Sequence, residues 1–228
     1  MPDHRVAALT FDCYGTLVQW PERLEDLLSG VTGRHGVVAG PAELRQRFRR
    51  HQHQLAASRY QRYAEILAEA LGLALAEVGV TVDETDRRAF VDGLRDVPPY
   101  ADVPDALREL GRARRLLIIS NSDDDLIAAT VRGLGATVDG VVTAQQARAY
   151  KPAHAIFNLA LERAAVPASQ VVHVGASGTL DMVPARDLGL RRIWVDRYDA
   201  GSVEGQPNDQ IPSLAQLPAV IAKLESEL

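Results

Sequence analysis

Apolar residues in this chain gather in short, nearly uninterrupted runs. Strand-length runs occur at Val6 to Phe11, Leu116 to Ile119, Val171 to Val174 and Ile193 to Val195, with a weaker one at Val138 to Val142. Such runs are typical of strands that are covered on both faces. Helical periodicity falls between or after them, at Pro104 to Leu110, Asp124 to Leu134, Pro152 to Ala165, Leu180 to Leu188 and Leu214 to Leu224. The alternation predicts an α/β fold with a Rossmann-like, mainly parallel sheet.

The segment 18–97 departs from this alternation. It has no convincing strand run, and its pattern indicates helices rich in Ala, Leu and Arg, with a loop at Ser29, Gly30, Gly33 and Gly36. The stretch "DVPPYADVP", Asp96 to Pro104, is typical of a return to the main domain. We therefore predict a sheet domain formed by residues 1–17 and 98–228 and an inserted helical domain at 18–97.

Composition and charge argue against several classes of protein. The 228 residues are 46% hydrophobic with a net charge of -5, which argues against a nucleic-acid partner because phosphate binding needs a clustered basic surface. We interpret the basic stretch from Arg45 to Arg62 as a solvated helix face. The single cysteine, Cys13, cannot form an internal disulfide or a multi-cysteine metal site. With no signal-peptide pattern and no run of membrane-spanning length, we expect a cytoplasmic protein without membrane contact.

Polar side chains follow the predicted strands. They are Asp12, then Ser120, Asn121 and Ser122, then Gly175, Ala176 and Ser177, and finally Asp196, while Lys151 follows the weak run. Taken singly, Asp12 and Ser122 are explained as turn or capping residues and Lys151 as an exposed lysine. Because the carboxyl ends of parallel strands meet at one edge, these residues together favour a site there.

Asp12 has the chemistry of a nucleophile in that site. A carboxylate forms covalent intermediates when it stays ionised beside an electrophile, and we expect Lys151 to lower its pKa. Gly15 permits a tight turn after it, and the Thr16 hydroxyl with neighbouring backbone N–H groups can bind a substrate anion.

These residues resemble the motifs of the haloacid dehalogenase superfamily. The matching positions are "DCYGT" from Asp12 to Thr16, Ser120, Lys151 and "GASGTLD" ending in Asp181. The resemblance implies that residues 18–97 are the family's helical cap domain. Phosphatases of the superfamily carry a second Asp where this chain has Tyr14, and that Asp protonates the leaving group. Tyr14 resembles the type II (L-2-haloacid) dehalogenases, in which a halide leaves without a proton.

The resemblance also implies roles for other residues. Asp12 would displace halide, Arg45 of "LRQ" would stabilise the departing ion, and Asp181 would orient water against the ester. The substrate side would be formed by Tyr14, Thr16, Ser120, Asn121 and Ser177, with Phe157 in place of the family's pocket tyrosine. We expect a small anionic substrate, no cofactor and no metal, because Ala176 replaces a metal-binding Asp. A homodimer is left open.

Two departures keep alternatives open. The dehalogenases have Ser and Asn where this chain has Ala176 and Gly178, and those groups hold the hydrolytic water, so turnover is expected to be slower. The alternatives are a phosphatase acting on a small phosphate ester and a repurposed, non-catalytic protein of the same fold. We interpret His154 and His173 as structural residues.

Overall fold

The computed structural model describes residues 5–226, and within them the sheet has six strands, all parallel. The strands, β1 to β6, are Ala8–Phe11, Arg115–Ser120, Gly140–Thr143, Val171–Gly175, Arg191–Val195 and Asp209–Ile211. Their order is β3-β2-β1-β4-β5-β6. All four residues of β1 are buried, as expected for a strand covered on both faces. The predicted α/β fold is confirmed.

The register places the candidate residues side by side. Phe11, the last residue of β1, pairs with Ile118 of β2 and with Val174 of β4. Asp12 therefore follows the central strand, Ser120 ends the neighbour on one side, and Gly175 ends the neighbour on the other.

Helices of the sheet unit connect successive strands or follow the last one. They are α5 (Val103–Leu110), α7 (Ala144–Ala147), α8 (His154–Ala164), α9 (Val183–Asp187) and α10 (Leu217–Ser226). Helix α8 packs on β2 and β3, α9 packs on β5, and α5 packs on α10. No described helix is long and apolar enough to cross a membrane.

Three elements differ from the prediction. Strand β6 was missed because only Ile211 of its three residues is fully buried, and α7 was missed because it spans four residues. The helix predicted at Leu180 to Leu188 begins earlier as a π-helical turn, Gly178–Met182, before α9. Wide turns of this kind are frequent at functional sites, and this one contains Asp181.

The chain divides into two compact units. The sheet unit takes the described residues up to Val18, Pro99–Asn121 and those from Leu134 onward, and the helical unit takes Gln19–Pro98 and Ser122–Gly133. Helices of the second unit are α1 (Trp20–Arg34), α2 (Pro41–Ala56), α3 (Tyr63–Ala76), α4 (Glu84–Gly93) and α6 (Asp124–Arg132). That the segment 18–97 is a functional cap stays a prediction.

Helix α1 of the helical unit is longer than the sequence predicts. The predicted loop at Ser29 to Gly36 is wrong for its first part, because α1 continues through Gly30 and Gly33. Leu24, Leu28 and Val31 are buried on one face of α1, and their burial outweighs the low helix propensity of glycine. Only Gly36, at φ 68°, lies in the following loop.

The segment Ser122–Gly133 joins this unit through a capping contact. The buried Asp123 carboxylate accepts hydrogen bonds from the backbone N–H groups of Tyr63 and Ala64, each at 3.0 Å. These groups are the unpaired donors at the start of α3, so Asp123 acts as its N-terminal cap.

Candidate active site

Asp12 directly follows the central strand, and both of its carboxylate oxygens accept hydrogen bonds. Lys151 Nζ donates to Oδ1 at 2.6 Å and Thr16 Oγ1 donates to Oδ2 at 2.7 Å. Gly15 has a φ of 92°, a conformation that favours glycine, and it brings the chain back so that Thr16 faces Asp12. The Asp12 side chain keeps 13% of its surface exposed. The turn therefore leaves part of the Asp12 side chain exposed.

Lys151 links two carboxylates. Its Nζ lies 2.6 Å from Asp12 Oδ1 and 2.7 Å from Asp181 Oδ1, and its side chain is only 2% exposed. Asn121 holds the backbone of Lys151, accepting its N–H at 2.7 Å and donating to its carbonyl at 3.2 Å. The predicted contact between Lys151 and Asp12 is confirmed, and Asn121 contributes to it through the main chain.

Asp181 is fully enclosed. Besides Lys151, its Oδ1 contacts His173 Nε2 at 3.4 Å, and its Oδ2 accepts the backbone N–H of Ser177 at 3.1 Å. Its side chain has no exposed surface. Water can therefore reach this carboxylate only after a local rearrangement, which any water-orienting role requires.

Burial and charge set the protonation of these groups. Burial raises the pKa of Asp12, and the Lys151 ammonium opposes this without cancelling it, with Asp181 adding a further rise. Burial would also raise the pKa of Asp181, but Lys151 and His173 bring it down to about 2. Burial lowers the pKa of Lys151, yet the two carboxylates more than compensate, so it is raised. The expectation of a lowered pKa for Asp12 is wrong, because burial raises this pKa by more than the Lys151 ammonium lowers it.

Three more sequence-derived candidates of the sheet unit lie beside this triad in the sequence or at a neighbouring strand end. Ser120 is fully buried at the end of β2, and its hydroxyl has no hydrogen-bond partner among the described residues. Ser177 caps the π-helical turn, since its hydroxyl accepts the N–H of Leu180 at 3.2 Å. Tyr14 is partly exposed and its backbone bridges to Val18.

Three other candidates are described by their own contacts. Phe157 is fully buried and meets the His173 ring edge-on, with centroids 5.2 Å apart. Asp196 accepts the N–H groups of Ala200 and Gly201 and so shapes its own loop. Arg45 belongs to the helical unit, where its guanidinium lies 3.2 Å from Glu25.

Arg197 was missed by sequence reasoning. Its Nε and Nη2 both donate to the carbonyl of Thr16, at 3.0 and 2.8 Å, and its Nη1 donates to Asp102. The guanidinium also lies 3.8 Å from the centre of the Tyr100 ring. Arg197 thereby fixes the residue that hydrogen-bonds Asp12. The only signal in the sequence was its place just after β5.

The donor set is a poor match for Mg²⁺, the cation that a phosphatase of this fold implies. This hard cation prefers six oxygen ligands in octahedral geometry. Here the Lys151 ammonium lies between the two carboxylates, and Ala176 offers no side-chain oxygen beside them. Within residues 5–226, no group of three or more His, Cys, Asp or Glu side chains is arranged to hold a metal.

Comparison with known proteins decides the family. The haloacid dehalogenase-like hydrolase family matches residues 6–189. The chain belongs to this family. Among haloacid dehalogenase-like hydrolases it is 29% identical to an (S)-2-haloacid dehalogenase of Pseudomonas sp. (strain YL) over 143 residues, 61% of each chain. It is 25% identical to an (S)-2-haloacid dehalogenase of Pseudomonas putida over 224 residues, covering 93% of this chain and 95% of the relative.

Solved structures of the family share the fold. The L-2-haloacid dehalogenase of Xanthobacter autotrophicus superposes with a TM-score of 0.84 at 22% identity, covering 95% of this chain and 98% of the other. The chain is thus a hydrolase of the haloacid dehalogenase-like family. The predicted membership of its dehalogenase branch is supported at low sequence identity.

Gly175→Ala is expected to disable this site. A Cβ at position 175 would lie 2.7 Å from the Cβ, Cγ and Oδ2 atoms of Asp181, so Asp181 would have to shift from the position in which it contacts Lys151. We expect a loss of stability of about 1–3 kcal/mol from overpacking, together with a large loss of activity. Gly140→Ala is a matched control, because its Cβ would make only ordinary contacts of 3.6 Å and more. Equal activity in the two variants would contradict the prediction.

Proposed function

We propose that this chain hydrolyses the carbon–halogen bond of small L-2-haloacids through an ester on Asp12, without a metal ion. The observation that carries the proposal is the ionic triad Asp12–Lys151–Asp181 with Tyr14, not a second Asp, two residues after the nucleophile. A halide leaves as a stable anion, so this reaction needs no acid at position 14. The names of the curated relatives support the same substrate class.

In the first step, an Asp12 oxygen attacks C2 of the substrate from the side opposite the halogen. The new C–O bond forms as the carbon–halogen bond breaks, and the halide departs with the bonding electron pair. Lys151 and Thr16 hold the attacking carboxylate in one orientation, which is the main contribution the protein makes to such a displacement. The unpaired Ser120 hydroxyl is a suitable donor for the substrate carboxylate.

In the second step, water attacks the carbonyl carbon of the Asp12 ester. The bond between Cγ of Asp12 and the ester oxygen breaks, the 2-hydroxy acid leaves with that oxygen and one proton of the water, the other proton goes to solvent, and the Asp12 carboxylate is restored. The proposal assigns the orientation of this water to Asp181. Because the pKa of Asp181 is about 2, it is a weak base, and we infer that this step limits turnover.

Phosphoryl transfer is the second candidate function, and it rests on the shared nucleophile and fold. It lacks both the leaving-group acid at Tyr14 and a carboxylate at Ala176. The experiment that separates the two candidates measures halide release from a panel of L-2-haloacids and phosphate release from generic esters, each with EDTA and with Mg²⁺. We expect halide release that EDTA does not change. Phosphate release that Mg²⁺ activates, with no halide release, would contradict dehalogenation and favour phosphoryl transfer.

Arg45 is proposed to receive the departing halide, on the strength of the resemblance of "LRQ". Arg45→Gln is expected to slow halide release about 10²-fold, a typical cost of losing one transition-state charge partner. Arg47→Gln is the matched control, because Arg47 lies on the same helix and pairs with Glu43 and Glu77. If both variants release halide at the wild-type rate, the role of Arg45 is wrong.

Slow hydrolysis of the ester is expected to be visible as a covalent adduct. With a good L-2-haloacid substrate, the intact mass of the protein should rise by the mass of the attached acid group. Ala176→Ser should shorten the life of the adduct about tenfold by adding one hydroxyl that orients water. A wild-type chain that releases halide but never carries the adduct would contradict this expectation.

Gly178→Asn introduces the Asn that the dehalogenases of the family have here, and this variant is expected to hydrolyse the ester more slowly. A Cβ at Gly178 would lie 2.6 Å from Val203 Cγ2 and 3.1 Å from the Glu204 backbone nitrogen. Gly178→Asn should therefore displace the loop that contains Val203 and Glu204, and should slow hydrolysis where Ala176→Ser speeds it. The same adduct measurement compares the two variants.

A further inference from the structure

His173 lies in the middle of β4 and contacts Asp181, one member of the Asp12–Lys151–Asp181 triad. It is fully buried, its Nδ1 is 2.9 Å from Thr10 Oγ1, and its Nε2 is 3.4 Å from Asp181 Oδ1. Its neighbours in the strand, Val172 and Val174, are apolar. An imidazole in such a position must be desolvated, so packing alone does not account for it.

The hydrogen-bond pattern assigns the proton. Asp181, with a pKa of about 2, is ionised and can only accept, so His173 Nε2 must carry the proton. On the other side of the ring, Thr10 Oγ1 lies 2.9 Å from Nδ1. The ring therefore presents a fixed N–H donor to Asp181.

We propose that His173 is a positioning residue for the hydrolytic step, holding Asp181 in the orientation that directs water at the Asp12 ester. This inference rests on the proposed function and deepens it. Before the reaction, Lys151 ties Asp181 to the Asp12 carboxylate. Once Asp12 is an ester it carries no charge, and that link weakens. Asp181 then depends on Lys151, on the N–H of Ser177 and on His173.

The missing groups at positions 176 and 178 make this orientation more important. Ala176 and Gly178 have no side-chain donor or acceptor, so Asp181 alone is left to place the water. A misplacement of about 1 Å in such a group can cost about 10²-fold in rate. The first step depends on Asp12, which His173 does not contact. The effect of His173 should therefore fall on hydrolysis.

The imidazole also lowers the pKa of Asp181. The charged and titratable groups that face Asp181 are Asp12 after β1, Lys151 before α8 and His173 on β4, and Ser177 adds a backbone N–H. Without the imidazole, burial of Asp181 is opposed by fewer contacts, so its pKa rises. The acid limb of the hydrolytic rate should then move to higher pH.

The test separates the two chemical steps by rapid quenching with L-2-chloropropionate. The burst of chloride reports ester formation, and the loss of the adduct from the intact mass reports hydrolysis. We compare His173→Gln, whose amide reaches as far as Nε2, with His173→Asn, which is shorter. We expect the Asn variant to lose the adduct about 10–100-fold more slowly, with its acid limb at higher pH, and the Gln variant to recover most of the rate.

The outcomes distinguish this inference from the proposed function. If the wild type releases no chloride at all, the proposed function fails and the inference fails with it. If it releases chloride without a burst, the proposed function stands, and the inference, which requires slow hydrolysis, is overturned. If the burst is present but both variants lose the adduct at the wild-type rate, only the inference is overturned. Equal slowing in both variants with an unchanged pH profile would also overturn it, as a purely structural effect. His173→Phe, with thermal unfolding to check its fold, repeats the test with no donor at all.

Discussion

Asp12→Asn is expected to abolish halide release and adduct formation. The amide cannot ionise, so it cannot act as the attacking oxygen, and removal of a catalytic nucleophile commonly costs more than about 10⁴-fold in rate. Thr16 and Lys151 are both within hydrogen-bond distance of this side chain, so an amide of the same shape should occupy the turn. Chloride release and intact mass after incubation with L-2-chloropropionate measure the effect.

The same variant should be more stable than the wild type at neutral pH. Burial raises the pKa of Asp12, which means that its ionised form costs folding free energy relative to the unfolded chain. That cost is present above the raised pKa and disappears as the pH falls through it. The gain in the free energy of unfolding should therefore be larger at pH 8 than at pH 4, measured by denaturant titration. A variant that is inactive but less stable at pH 8 would contradict this account of the site.

The fold could be predicted because a strand that is buried on both faces is recognisable from its own apolar residues. Uninterrupted apolar runs such as Leu116 to Ile119 predict strands covered on both sides, and such strands are typical of parallel sheets. The contact between Asp12 and Lys151 followed from the rule that strand ends share an edge. Strand β6 could not be found in this way, because "DQI" has one buried apolar residue.

Other features of the site depend on distant segments and had no local signal. The pKa of Asp12 is raised mainly by burial, and Asp181, which shares its lysine, adds to the rise. Gly178 is crowded by Val203, which lies 25 residues away in sequence. The sequence shows that these residues are present, but their contacts and pKa values depend on tertiary packing.

Lys151→Met is expected to have the second large effect, on both activity and stability. The variant would leave two buried carboxylates facing each other without a cation. Removing one partner of a buried ion pair typically costs about 3–5 kcal/mol of folding free energy. The pKa of Asp12 should rise further, so at neutral pH a larger fraction of this nucleophile would be protonated, and halide release should fall at least about 10²-fold.

The activity and the stability of Lys151→Met are expected to change in opposite directions with pH. Halide release by Lys151→Met should recover as the pH rises through the higher pKa of Asp12, whereas its stability should decrease over the same range, because ionisation restores the repulsion. Lys151→Met combined with Asp181→Asn removes one of the two charges and should regain part of the stability without regaining ester hydrolysis. Denaturant titrations at pH 5 and pH 8, beside chloride release at both values, test the two trends. If stability and activity change in the same direction with pH, charge sharing by Lys151 does not organise this site.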